Sequence, residues 1–222
     1  MKYGICTLSL IPCRLETSDA SEMVTQLLFG DHYKVIDERV KWVKVQGGYD
    51  RYEGWIDRKQ FHEIDSETYH QLHKAGQPKC SLDMVGVLSS VPDQVNIPIV
   101  MGSSLPGFDG KHVHIGDLKY AYEGLVFDPA QPVPKEQLVE NAYMYLGAPY
   151  VWGGRTPFGI DCSGFSQLIY KMAGVSLPRD AYQQAEMGET LSFIEEAEEG
   201  DLAFFDNEEG RIIHVGLLLK DN

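Results

Sequence analysis

Gly147-Ala148-Pro149-Tyr150-Val151-Trp152-Gly153-Gly154 leads through Thr156-Pro157-Phe158-Gly159 into Asp161-Cys162-Ser163-Gly164-Phe165, and the chain continues to Gly174. The first part is a loop rich in glycine and aromatic residues. Beyond it, Phe165, Leu168, Ile169 and Met172 fall one helical turn apart. That spacing predicts an amphipathic helix that starts at Cys162 and closes at Gly174. A helix start carries partial positive charge, which favours the thiolate form of a cysteine placed there. Gly164 leaves room for close approach of the backbone. An isolated cysteine is more often a buried structural residue, but polar Asp161 and Ser163 on either side favour a reactive one. Asp161 can cap the helix, the commonest use of an aspartate in that position.

A thiolate nucleophile needs a base. His214 lies in Arg211-Ile212-Ile213-His214-Val215-Gly216-Leu217-Leu218-Leu219, a strand in which Ile212, His214 and Gly216 share one face. Without Cys162 the simpler reading of His214 is a histidine satisfied in a core. His112 and His114 share a strand face and His70 and His73 a helix face, and either pair could bind metal. Neither pair shows a third ligand in the sequence. Cys6, Cys13 and Cys80 are widely spread, with no CxxC pair, so neither a disulfide framework nor a zinc knuckle is expected.

Upstream, Lys135 to Leu146 predicts a helix with Leu138, Ala142 and Tyr145 on one face. The proline-rich joint Asp128-Pro129-Ala130-Gln131-Pro132-Val133-Pro134 places a linker at 129–134, ahead of a final domain at 135–222. Residues 1–62 read as short strands broken by turns. Val24–Phe29, Tyr33–Ile36, Trp42–Val45 and Tyr52–Ile56 are the strands, with Gly30-Asp31 and Gly47-Gly48 between them, a pattern that suggests a small barrel. Residues 65–75 predict a short helix capped by Ser66. Residues 80–127 return to strand character, so 63–128 is a helix plus a second β segment, either another small barrel or an extension of the first.

In the 222 residues, 33 acidic side chains against 19 basic ones leave a net charge of −14. Such a field repels nucleic acid and anionic membrane surfaces, and neither is expected as a partner. No run approaches the roughly 18 apolar residues of a membrane helix, and the first residues do not form a signal peptide. A cytoplasmic location is the expectation if Met1 is the native start, and a periplasmic or secreted one if a leader has been removed.

Taken in order, Pro149 to Gly154, Asp161 to Phe165, Leu177-Pro178-Arg179, Gly200 to Phe205 and His214 to Gly216 resemble the catalytic domain of NlpC/P60 cysteine peptidases, a compact relative of papain. The Leu28–Asp31 turn, Lys41–Val45 and Glu53–Ile56 resemble bacterial SH3-like domains. The resemblance implies an α+β fold, with an SH3-like barrel followed by a papain-like domain whose cysteine-bearing helix packs on an antiparallel sheet. It implies a γ-D-glutamyl-L-diamino acid endopeptidase acting on murein peptides with a free N-terminal L-Ala, Cys162 serving as nucleophile and His214 as base. Asp161 would hold the substrate ammonium, with Ser163 and Tyr150 assisting in binding or at the oxyanion. Glu53, Tyr52 and Asp50 would wall the site from the first module. No metal or organic cofactor is implied. A non-catalytic muropeptide binder and an amidase or acyl transferase on the same scaffold stay open.

The family pattern also carries a third polar residue, usually histidine, on the strand after the one bearing His214. By resemblance its place lies beyond Asn222, and Lys220-Asp221-Asn222 read as the turn towards it. The expectation is a parent longer than these 222 residues, with low turnover at this length.

Overall fold

The computed structural model describes residues 1–131 and 133–219. Its first seven strands form one antiparallel sheet. Their spatial order is Met23–Leu28, Leu10–Arg14, Glu53–Asp57, Trp42–Gly47, His32–Glu38, Tyr3–Ile5 and Glu63–Ile64. Alternation sets the inward face: Val43 and Val45 are buried while Trp42 and Lys44 are partly exposed. Together with Ile11, Cys13, Leu27, Tyr33 and Ile56 they make the core of this first sheet.

Helix α1 spans Ser66–Lys74 and is capped by Asp65, not by Ser66. Asp65 is extended and its carboxylate accepts the Thr68 N–H at 2.7 Å, whereas Ser66 is already the first helical residue. Tyr69 stacks on Tyr3 at 4.1 Å between ring centroids, which fastens α1 to the first sheet. A four-stranded sheet follows, in the order Asn96–Val100, Val85–Val91, Leu118–Ala121, His112–Ile115. Its core takes in Ile5 and Phe29 beside Leu88, Ile99, Val113, Ile115 and Tyr120, so this second β segment packs directly on the first.

Helix α2 spans Lys135–Tyr143, three residues short of the expected end at Leu146. Leu146 is exposed and has no core to bury against, although Tyr145 just before it is buried. Helix α3 is Cys162–Lys171 and α4 is Ala181–Gln184. Leu202–Asp206 and Ile212–Leu217 form an antiparallel pair, and Ile212–Leu217 packs on α3 and α4. Leu168, Ile169 and Met172 bury the face of α3 predicted from their spacing, against Leu138, Val139 and Ala142 of α2. Leu28, Val100 and Met101 belong to the same cluster, so all three parts of the chain share apolar contacts. Among the described residues no helix is long and apolar enough to cross a membrane.

Where the three parts meet, a buried charge cluster forms. Asp31, at the turn of the first module, faces Arg155 Nη1 at 3.3 Å and Lys171 Nζ at 3.5 Å. Ser104 Oγ donates to Asp31 at 3.2 Å, and Lys171 donates to Ser104 Oγ at 3.0 Å and to the Gly102 carbonyl at 2.9 Å. Gly30 has φ +79°, and a Cβ there would fall 2.2 Å from the Ser104 carbonyl oxygen, so only glycine lets the turn come this close. Burial pushes the Asp31 carboxyl up, but Lys171 and Arg155 outweigh it and hold the group below the usual carboxylate range.

Asp31→Ala leaves two cations buried without their carboxylate and is expected to cost about 3–5 kcal/mol in urea unfolding. Because Asp31 titrates lower when folded, its contribution is present above its unfolded pKa of about 3.9 and is lost as pH falls through the folded value. Unfolding of wild type and variant across acid pH should therefore converge at the low end. A constant gap between them would contradict the assignment.

Candidate active site

Cys162 is the first residue of α3, and the helix start is fixed by the residue before it. Asp161 is extended at φ −98° and ψ 172°, and its Oδ1 accepts the Gly164 N–H at 2.7 Å. Its Oδ2 accepts the Gly153 N–H at 2.8 Å, which ties the glycine–aromatic loop to the helix. Arg179 then closes on both oxygens, Nη2 to Oδ2 at 2.6 Å and Nη1 to Oδ1 at 3.0 Å. The same guanidinium donates from Nη1 to Ser163 Oγ at 2.9 Å and from Nε to Thr25 Oγ1 of the first module at 3.0 Å. Asp161, Ser163 and Arg179 are all buried. A carboxylate offers about four acceptor positions, and these donors fill them.

The cation that Asp161 needs is thus supplied by the protein itself. Asp161 acts as cap and ion-pair partner, so its carboxylate is already engaged by the protein's own donors. Ser163 is likewise committed to Arg179. The sequence showed Arg179 only as part of the Leu177-Pro178-Arg179 turn. The missed signal was the buried carboxylate, which demands a cation whether or not a substrate is bound. Gly164 behaves as read: a Cβ there would sit 2.5 Å from the Gly154 carbonyl oxygen.

Cys162 is partly exposed, whereas Cys6, Cys13 and Cys80 are buried. Burial pushes the three buried thiols up, Cys13 to about 12. Strand Ile212–Leu217 packs against both α3 and α4, with Val215 turned inward and His214 on the exposed side opposite Phe205. The rings of His214 and Phe205 lie 5.8 Å apart. Tyr150 reaches the same region. Its phenol is pushed up by burial first, then by the neighbouring charges of Cys162 and Asp161.

The first module reaches into the catalytic half. Tyr52 Oη donates to Asp180 Oδ1 at 3.1 Å, and Gln167 Nε2 of α3 donates to Asp50 Oδ2 at 3.0 Å. Glu53 does not take part: its carboxylate accepts Lys44 at 2.9 Å and Gln46 at 3.0 Å within its own sheet. Glu22 contributes instead, accepting the indole N–H of Trp152 at 2.6 Å. Asp180 is half-buried, and burial raises its carboxyl. Of the other histidines, His70 Nδ1 lies 2.6 Å from the Ser66 carbonyl and His73 lies 3.4 Å from His32, so the pair does not converge on one point. The turn read at Lys220-Asp221-Asn222 lies outside the described residues.

A partly exposed thiol on the first turn of a capped helix, packed against a strand that carries a histidine, is the layout of papain-like thiol enzymes. Residues 147–222 match the NlpC/P60 family and residues 15–61 match the bacterial dipeptidyl-peptidase SH3 domain. The chain therefore carries an NlpC/P60 domain behind a bacterial dipeptidyl-peptidase SH3 domain. Gamma-D-glutamyl-L-lysine dipeptidyl-peptidase of Bacillus cereus (strain ATCC 10987 / NRS 248) is 28% identical, over 94% of this chain and 68% of that relative. The protein of the same name from Bacillus subtilis (strain 168) is 29% identical, over 97% of this chain and 72% of its own length. A crystal structure of an NlpC/P60 family protein from Bacillus cereus ATCC 10987 superposes with a TM-score of 0.84 at 22% identity. The match covers 99% of this chain and 88% of the other, so the two share a fold.

Brief treatment of the native protein with iodoacetamide should add one carbamidomethyl group, at Cys162. Peptide mass spectrometry would locate it. Equal labelling of Cys6, Cys13 or Cys80 would contradict the burial that sets Cys162 apart.

Proposed function

We propose that the protein hydrolyses the γ-D-Glu–L-diamino acid bond of murein peptides that carry a free N-terminal L-Ala. The observation that carries this reading is Cys162, the partly exposed thiol at the capped start of α3, beside a wall built by a second module. The likeness over nearly the whole chain to two proteins named gamma-D-glutamyl-L-lysine dipeptidyl-peptidase supports it.

His214 takes the Cys162 thiol proton as the sulfur attacks the γ-glutamyl carbonyl carbon and the carbonyl π electrons move to oxygen. The first N–H of a helix has no intrahelical partner. We therefore assign the oxyanion to the Cys162 amide and the Tyr150 hydroxyl. Collapse of the tetrahedral species expels the diamino acid's amine, which takes its proton from His214. Water then attacks the thioester, with His214 accepting its proton, and L-Ala-γ-D-Glu leaves.

Selection for a free amino terminus requires a carboxylate with acceptor capacity to spare. Asp161 has none, so the role passes to Asp180. This carboxylate is half-buried, accepts Tyr52 from the first module and has no ion-pair partner among the described residues. An incoming ammonium would relieve the burial cost of its charge.

The test is release of L-Ala-γ-D-Glu from L-Ala-γ-D-Glu-L-Lys, run beside the N-acetylated peptide. The free peptide should be cleaved and the acetylated one poorly. Cys162→Ala should lower turnover by about 10⁴ or more, and Asp180→Asn should shrink the preference for the free amine. Equal rates on both peptides would contradict the ammonium site. Saturable binding without any turnover would favour the muropeptide-binding reading.

A further inference from the structure

In the second β segment, far along the chain from the thiol site, the fold assembles a ligand set that the sequence left incomplete. His112 and His114 alternate on the strand His112–Ile115 with buried Val113 and Ile115, so both imidazoles stand on its outer face. The third group comes from the turn before the strand. Asp109 Oδ1 accepts the backbone N–H of Lys111 at 2.9 Å and of His112 at 2.7 Å. That pairing fixes the carboxylate and turns Oδ2 towards the rings, 3.1 Å from His114 Nε2 and 3.7 Å from His112 Nδ1. All three donor atoms lie within 4.8 Å of one another.

We propose that Asp109, His112 and His114 bind one borderline transition-metal ion of the zinc class. Two imidazoles and a carboxylate are donors of the right chemistry for such an ion and of the wrong chemistry for calcium or magnesium, which take oxygen ligands. A tetrahedron with bonds of about 2.05 Å has edges of about 3.3 Å. The two carboxylate-to-imidazole distances, 3.1 and 3.7 Å, lie on either side of that value. Binding therefore needs ring rotations and no rebuilding of the backbone. Two backbone N–H groups hold the Asp109 carboxylate in place through Oδ1 and leave Oδ2 free to turn to a metal. Its place in the Asx turn also supplies the outer hydrogen bonds that orient a ligating carboxylate. One side of the cluster faces solvent, which leaves the fourth position for water. The net charge of −14 raises the local concentration of divalent cations around the whole molecule.

The other close histidine contact, His32 Nε2 with His73 Nδ1 at 3.4 Å, lacks such a third donor. The nearby Asp31 carboxylate is already taken by Arg155 and Lys171. Among the described residues the Asp109 cluster is the group of three that meets the distance condition. Closing it with a metal ties the turn at Asp109 to the outer face of the hairpin formed by His112–Ile115 and Leu118–Ala121.

The experiment is calorimetric titration of the full chain with zinc sulfate, in a Cys162→Ala background so that the catalytic thiol cannot compete. The expected result is saturable binding of one zinc per chain and a rise in thermal midpoint. Magnesium should give no heat. The double variant His112→Ala, His114→Ala, and separately Asp109→Asn, should weaken zinc binding by at least about tenfold. His73→Ala should leave it unchanged. Circular dichroism and unfolding without metal would show that these exposed substitutions leave the fold intact. Zinc binding of equal strength in the His112/His114 double variant would overturn the proposal. So would the absence of saturable binding in the parent.

Discussion

The buried carboxylate of Asp31 is the point on which the arrangement of the molecule turns. It comes from the first sheet, yet its cations, Arg155 and Lys171, come from the catalytic half, and its serine, Ser104, comes from the segment between. Apolar contacts alone would hold these parts together without fixing their orientation. A charge cluster with directed hydrogen bonds is less forgiving, because any slip leaves a charge unpaired in the interior. Lys171 is the last residue of the helix that Cys162 begins. The cluster therefore anchors one end of α3, while Asp161 and Arg179 anchor the other.

That double anchoring explains how a module with no chemistry of its own takes part in the site. Thr25 reaches Arg179, Tyr52 reaches Asp180, Asp50 reaches Gln167 and Glu22 reaches Trp152. Each contact crosses from the first sheet to the elements around Cys162. In the reading we propose, these contacts make the first module a wall beside Cys162, and a wall on one side limits how much of a peptide chain can lie beyond the scissile bond. The proposed specificity for a chain end rests on that geometry, combined with the half-buried carboxylate of Asp180.

Much of this was legible in the residues. The helix at Cys162 follows from the spacing of Leu168, Ile169 and Met172, and the strand at His214 from its alternation. The first strands follow from turn residues at Gly30 and Gly47. What escaped was of a different physical kind. Asp65 rather than Ser66 caps α1, because adjacent polar residues compete for one cap and only backbone angles decide. The commitment of Asp161 to Arg179 depends on two segments 18 positions apart meeting in space, which no local pattern encodes. Glu53 was expected at the site by resemblance, but its partners Lys44 and Gln46 lie on the adjacent strand of its own sheet, a pairing set by register rather than by any local pattern. The Asp109 ligand stayed hidden because its distance to the histidines is set by a turn, not by periodicity.

The central claim is that Cys162 and the cross-module wall act on the same peptide. A crystal structure of the Cys162→Ser variant soaked with L-Ala-γ-D-Glu-L-Lys tests it most directly. The account predicts the γ-glutamyl carbonyl against residue 162 and the alanine ammonium at Asp180, within reach of Tyr52. A peptide seated elsewhere, or one whose amino terminus points away from the first module, would contradict it.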